Sequence, residues 1–393
     1  WGEGTWGTER TSNTYMQLPR RWALDQYGQY LLAMPSGGGL YQWQLNISNR
    51  AAVVTNAPAT GLYMFVTSER IVVVLGADGD FMKLHWCDDD DNTIWTPADA
   101  NTANIRRLQE GSRLMAGCRM AQGVNLVWSD TALTLMQFTG TNIVYSTRTV
   151  GTNCGLVSPA AFVVIDGIAF WMAPTAFHMY AGQMGSMPRW EEIKPVLDDL
   201  DADQRFKVHA HYNPEFREIW WEYPSTGELE PDRYIMVNID TWDWSAGTLD
   251  RTAFGLRNIA GKYMLLATDA SGVIYEHETG VDADGAAQDW SIESGYFDLE
   301  DGNSGINIDG YFPDFARQTG AIDLTFTSRD LPEDTTNQDT ATASIAAGDT
   351  VVDLRHFGRQ SKIRLSQTSV VGGDFALGAH RIEVTGTSTK RHD

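Results

Sequence analysis

The stretch IVVVLGADGDFMKLHW, residues 71 to 86, holds two short apolar runs separated by a Gly-Ala-Asp-Gly-Asp turn. Runs of Val, Ile, Leu and aromatic residues bounded by Gly and Asp are the signature of strands joined by a tight turn. Five other segments share the pattern: YLLAMPSGGGLYQW (30 to 43), NLVWSDTALTLMQFTG (125 to 140), GIAFWMAPTAFHMYAG (167 to 182), EIWWEYPS with RYIMVNI (218 to 239) and MLLATDASGVIYEHETG (264 to 280). Their starts recur at roughly 40 to 55 residues, about the length of a four-stranded propeller blade. The long period favours a propeller over tandem sandwiches, in which turns recur every 8 to 12 residues or so.

Working outward, the spacing predicts an all-β protein: a β-propeller of six or seven blades over residues 1 to 285, then a β-sandwich-like module over 286 to 393. The polar stretch VDADGAAQD (281 to 289) marks the change. Beyond it, IDLTFTSRD, ASIAAGDTVVDLR, SKIRLSQTS and HRIEVTG alternate with the period of two of half-buried strands. LPEDTTNQDTATA (331 to 343) reads as an exposed loop. Helical periodicity is confined to Pro195 to Asp203 and Asn101 to Glu110.

The chain has 393 residues, 42% of them hydrophobic, 14 tryptophans and a formal net charge of -22. Such apolar content folds, and such charge repels phosphate backbones and anionic lipid. Cys87, Cys118 and Cys154 have no CxxC or Cys/His spacing, which points to reduced thiols and folding in a cytosol. No apolar run reaches the eighteen or so residues of a membrane span. The sequence begins at Trp1 without methionine, as a processed or truncated product would.

HWCDDDDNTIWTP (85 to 97) and FKVHAHY (206 to 212) carry the candidate metal ligands: Asp88, Asp89, Asp90 and Asp91 in the first, His209 and His211 in the second. A calcium loop needs alternating oxygen ligands, a Gly and a distal bidentate Glu, and the aspartate run has none of that spacing. Successive strand residues also point to opposite faces. The expected role is a turn. It partly matches the Asp box of sialidase-type propellers, Ser-x-Asp-x-Gly-x-Thr-Trp, with Asp90, Asn92 and Trp95 in the Asp, Gly and Trp places and Asp88 and Ile94 replacing Ser and Thr. In that family the box pins a blade turn over a buried Trp. His209 and His211 share one strand face but lack a third ligand, and are expected to be half-exposed.

Arg106, Arg107, Arg113 and Arg251 do not group into an arginine triad by sequence, and no nucleophile elbow, P-loop or dinucleotide fingerprint is present. No catalytic residue and no cofactor are expected. The tryptophans of IWWEY (219 to 223) and DTWDWSAGTLDRTAF (240 to 254) are expected between blades and in subunit contacts, since Trp220 and Trp221 must face opposite ways.

The succession LGADGDFMKLHW, IWTPADANTAN, VWSDTALTLMQFTG, VGTNCGLVSPAAFVVIDGIAFWM and WDWSAGTLDRTAF, followed by YFPDFARQTG, VVDLRHFGRQSKIRLSQ and FALGAHRIEV, resembles the tail nozzle or hub proteins of short-tailed bacteriophages. These are also called packaged-DNA-stabilising or tail tubular proteins. The likeness runs from about Arg21 to Val384 and rests on order and spacing. It implies a propeller with an added β-domain and a homohexameric ring below the portal and adaptor, with tail fibre or needle proteins as further partners. It also implies a virion location after assembly in the host bacterial cytoplasm, and DNA that passes without sequence-specific binding. A propeller glycosidase or glycan-binding, lectin-like protein is the alternative from another functional class.

Overall fold

The computed structural model describes residues 21–121, 123–141, 144–259, 261–298, 305–334 and 338–387. The chain divides into two compact units, Trp1–His277 and Glu278–Asp393, so the first ends a little before the expected residue 285.

The first unit is a propeller of six successive antiparallel sheets. Blade 1 contains β1 (Trp22–Tyr27), β2 (Tyr30–Pro35), β3 (Tyr41–Trp43) and β4 (Ala52–Val53). Blade 2 contains β5 (Tyr63–Val66), β6 (Val72–Leu75), β7 (Lys83–Trp86) and β8 (Asn104–Arg107). Blade 3 contains β9 (Leu114–Arg119), β10 (Val124–Ser129), β11 (Ala132–Phe138) and β12 (Tyr145–Thr152). Blade 4 contains β13 (Phe162–Ile165), β14 (Ile168–Met172), β15 (Phe177–Tyr180) and β16 (Met184–Ser186). Blade 5 contains β17 (His209–Asn213), β18 (Glu218–Tyr223), β19 (Arg233–Asn238) and β20 (Trp244–Thr248). Blade 6 has three strands among the described residues, β21 (Ala253–Ile259), β22 (Lys262–Thr268) and β23 (Ile274–His277). Each of the first five repeated segments falls within one blade and supplies its middle strands, and the sixth supplies β22 and β23.

Each blade is a meander, its strands pairing antiparallel with their neighbours in sequence, mostly through short turns. Blades then stack through their first strands, β1 on β5, β5 on β9, β13 on β17 and β17 on β21. Large rings fill the seams: Trp128 packs on Phe162 and Trp171 between blades 3 and 4, and Trp221 on Phe177 between blades 4 and 5. Two of these indoles are satisfied by backbone, Trp171 donating to the Cys154 carbonyl at 2.7 Å and Trp221 to that of Ala161 at 3.1 Å, while the buried Trp128 N–H has no protein acceptor among the described residues. The segment between blades 3 and 4 passes so close to Asp130 and Thr131 that a Cβ on Gly155 would overlap their backbone atoms. The segments leading into the first strands of blades 1, 3 and 5 also meet. Arg21 donates to the Lys207 carbonyl at 2.7 Å, and the Arg113 guanidinium lies over Phe81 and Phe206.

Two sequence expectations fail locally. Asn101 to Glu110 forms no helix, because Asn104–Arg107 pairs with β7 as the outer strand of blade 2, and tertiary pairing outweighs local propensity. Pro195 to Asp203 yields one α-helical turn, Lys194–Leu197, preceded by a 3-10 turn at Trp190–Ile193.

The second unit contains β24 (Trp290–Glu293), β25 (Gly305–Phe312), β26 (Phe315–Thr319), β27 (Ile322–Arg329), β28 (Gln338–Ile345), β29 (Val352–Gly358), β30 (Gln360–Gln367), β31 (Asp374–Leu377) and β32 (Arg381–Thr387). Sheets β24-β30-β27-β28 and β29-β25-β32, with the pair β26-β31, enclose a core that includes Ile306, Ile308, Leu324, Phe326, Leu354 and Leu365. Strict alternation in IDLTFTSR buries one side of β27. The expected loop 331 to 343 is shorter than its composition implied. Its Thr/Ala-rich second half, from Gln338, is strand β28, paired along its whole length with β27.

Candidate functional site

The aspartate run is a turn held by its own side chains. Asp88 Oδ1 accepts from both the backbone N–H and the hydroxyl of Thr102, each at 2.7 Å, and the Asp89 N–H donates to the same hydroxyl at 2.8 Å. Asp91 Oδ1 accepts from the Thr93 N–H at 2.9 Å and its hydroxyl at 2.6 Å. Burial opposes ionisation of Asp88, but the Thr102 bonds outweigh it and hold the carboxyl below the usual range. Trp95 is 2% exposed, its indole donating to the Asn92 carbonyl at 2.7 Å and its edge meeting His85. Asn92 is buried and donates through Nδ2 to Gln42 Oε1 at 2.6 Å, tying the turn to blade 1.

Asp90 has a different place from the one expected. It takes the left-handed conformation at the tip (φ 59°) and pairs outward with Arg70 at 2.9 Å, while Asp88 and Asp91 do the pinning. A left-handed tip suits Asp better than a branched residue, which is why the run tolerates it there. Among the described residues, no three His, Cys, Asp or Glu side chains are arranged to hold a metal ion, in this turn or elsewhere.

His209 and His211 are buried, contrary to the half-exposed expectation, because their face of β17 turns toward blade 6. Register places His209 opposite Glu222 and His211 opposite Trp220 on β18. Glu222, in IWWEY, is 0% exposed, with Oε2 3.3 Å from His209 Nε2 and Oε1 3.1 Å from His211 Nδ1. These separations suit ion pairing, but the groups are misaligned and neither contact is a well-directed hydrogen bond. His211 stacks on Phe254 of β21 with ring centroids 3.9 Å apart, and Phe254 meets His277 of β23. Arg251 Nε donates to His277 Nε2 at 3.0 Å, and its guanidinium lies over the Tyr275 ring.

The seam between blades 5 and 6 is therefore built around a carboxylate and three imidazoles, whereas the neighbouring seams are filled by tryptophan. Burial, and then Glu222 and Arg21, act on His209, with burial prevailing to lower its pKa. Burial and the adjacent Arg251 push His277 down to about 4. Neutral His277 is the acceptor that the Arg251 donor requires. Glu222 is enclosed within blade 5 by His209 and His211, and the contact that crosses to blade 6 is the stack of His211 on Phe254. The sequence pairs His209 with His211 by parity, but Glu222 has no signal beyond a lone carboxylate inside an aromatic strand. Its partnership depends on register.

The four arginines singled out by sequence stay apart in function. Arg107 pairs with Asp80, Arg106 donates to the Tyr145 carbonyl, Arg113 covers Phe81 and Arg251 serves His277. Trp220 and Trp221 do face opposite ways, Trp220 onto His211 and Tyr234, Trp221 onto Phe177 and Trp244. The three cysteines are free thiols.

Compared by sequence, the chain matches no family model and no curated protein. Solved structures similar to it include dihydro-heme d1 dehydrogenase NirN in complex with DHE, with a TM-score of 0.42 at 12% identity over 88% of this chain and 68% of that one. Streptogramin B lyase gives a TM-score of 0.39 at 7% identity, covering 68% and 85% of the two chains. The SapL1 lectin in complex with alpha methyl fucoside gives 0.38 at 11% identity, covering 68% and 94%. Those names describe activities of the other proteins.

Proposed function

We propose that this chain is a structural protomer of a short-tailed bacteriophage tail nozzle, a ring through which the genome is retained and then ejected. The observation that carries the reading is the ordered run of segments from LGADGDFMKLHW to FALGAHRIEV, laid out on a propeller followed by a sandwich-like unit. Two physical features support it. With a net charge of -22, a wall built from this chain releases few counterions on meeting DNA, so a duplex slides past without being gripped. Retention is then the task of loops that project into the channel and block it sterically. Exposed apolar side chains, Trp22 and Leu24 on β1, offer surface for subunit contacts.

In this reading the protomers form a homohexamer that meets portal-adaptor proteins on one side and fibre or needle proteins on the other. The assembled form is sought by negative-stain microscopy and native mass measurement. A six-fold ring of about 262 kDa, six chains of 43.6 kDa, is the expected result. A particle whose tail lacks the protein, or a ring whose channel wall is strongly basic, refutes it.

A further inference from the structure

A cleft of about 330 Å³ opens between the outer strands of blade 1 and the aspartate turn of blade 2, lined by Gln42, Gln44, Asn49, Arg50, Asn92 and Thr93 together with residues 52 to 55. That volume is at the lower end of the roughly 300–1,000 Å³ of small-molecule sites, and has room for a monosaccharide or a disaccharide.

Its walls are held in place before any ligand arrives. Asn92 Nδ2 donates to Gln42 Oε1 across the two blades, and Asn56 Nδ2 donates to the Thr93 carbonyl at 3.0 Å. The Trp43 indole, on the opposite face of β3, donates to the carbonyls of Asn46 at 3.1 Å and Asn49 at 3.0 Å, fixing the loop that carries Gln44 and Arg50. A fixed wall spares a ligand the entropy cost of ordering it.

The donors and acceptors inside are only partly used. The Gln42–Asn92 bond consumes one donor and one acceptor, leaving Gln42 Nε2 and Asn92 Oδ1 for a ligand. Among the described residues Arg50 makes no ion pair, whereas Arg70, near the same turn, is paired with Asp90. The guanidinium offers donors and the carboxamides both donors and acceptors, the combination that hydroxyl groups can satisfy. The acidic run just before Asn92 and the net charge of -22 weigh against an anion. Ala52, Val53 and Val54 line the cleft beside these polar groups and supply apolar surface for the C–H face of a sugar ring.

We propose that this cleft binds a neutral saccharide, with Arg50 and Gln44 donating to hydroxyl oxygens and Asn92 Oδ1 accepting a hydroxyl proton. The inference is independent of the nozzle reading, since a ring can form with the cleft empty or filled. The full chain is titrated by calorimetry and saturation-transfer NMR with methyl glucoside, methyl galactoside, methyl mannoside, maltose and lactose, and with glucuronate as the anionic control. The expected result is saturable binding of at least one neutral sugar, with a Kd of about 0.1–10 mM. Arg50→Ala and Gln44→Ala should each weaken it about tenfold or more without moving the melting temperature, because both side chains are on the surface. No saturation by any neutral sugar up to about 20 mM overturns the proposal. So does binding of glucuronate alone, or sugar binding that both variants leave unchanged.

Discussion

Acid should loosen the seam between blades 5 and 6 well before it titrates the carboxylates. His277 has its pKa pushed from 6.5 down to about 4 in the folded chain, so the folded state prefers it neutral and the unfolded state takes up the proton first. Stability from this group is fully present above about pH 6.5 and is lost as pH falls from there toward 4. At pH 5 the linkage reaches about 2 kcal/mol as an upper limit. His277 is only about half-buried, and solvent screening reduces this to about 1 kcal/mol. His85, His178 and His209, also in the first unit, are likewise lowered by burial and add to the loss in the same direction. The assay is urea unfolding between pH 7.5 and 5 followed by tryptophan fluorescence. Of the 14 tryptophans all but Trp290 belong to the first unit, so the signal reports the propeller rather than the sandwich. His277→Gln keeps an acceptor for Arg251 but cannot titrate, and should lose about 1 kcal/mol less than the parent across that range. A parent whose midpoint is flat or rises toward pH 5, or a variant with the same acid slope, refutes the reasoning.

Four further outcomes follow from particular contacts. Trp95→Ala should cost about 3–5 kcal/mol, because it empties a buried site under the blade turn, and a loss below about 1 kcal/mol would contradict that packing. Thr102→Val removes the hydroxyl that donates to Asp88 and accepts from the Asp89 N–H, and should cost about 1–3 kcal/mol, while Asp90→Asn, at an exposed ion pair, should fall within about 0.5 kcal/mol; denaturant midpoints that reverse this order would reassign the turn's anchor. Gly155→Ala forces a Cβ into the backbone of Asp130 and Thr131, so soluble expression or melting temperature should drop sharply, and an unaltered melt would place that backbone elsewhere. In a mobility-shift assay at physiological salt the chain should leave duplex DNA unretarded, as its charge requires, and micromolar retention would point to a basic face.

Much of the fold is written in local pattern. A strand declares itself through alternation or a short apolar run, and a turn through Gly, Asp and Asn, so six blade hairpins and the later change of period were legible without coordinates. Trp95 at the end of its turn was also legible, since a large ring beside a polar turn has to be buried somewhere. Asn104–Arg107 was not. Its four residues carry no strand pattern of their own and are strand only because β7 has an open edge beside them.

Sites depend on register, and register is decided by which strands meet. Parity alone put His209 and His211 on one face and Trp220 and Trp221 on opposite faces. That the histidine face turns inward, and that Glu222 lies opposite His209, follows from the pairing of β17 with β18 and the packing of β21 against them. In the same way the aspartate run marked a turn in the sequence, but the choice of Asp88 as an anchor came from Thr102, fourteen residues beyond it, arriving within 2.7 Å, while Asp91 is held locally by Thr93. Short-range backbone preferences determine where a chain extends and where it bends. Only long-range contacts decide which of its polar groups lose water, and therefore which of them must find one another.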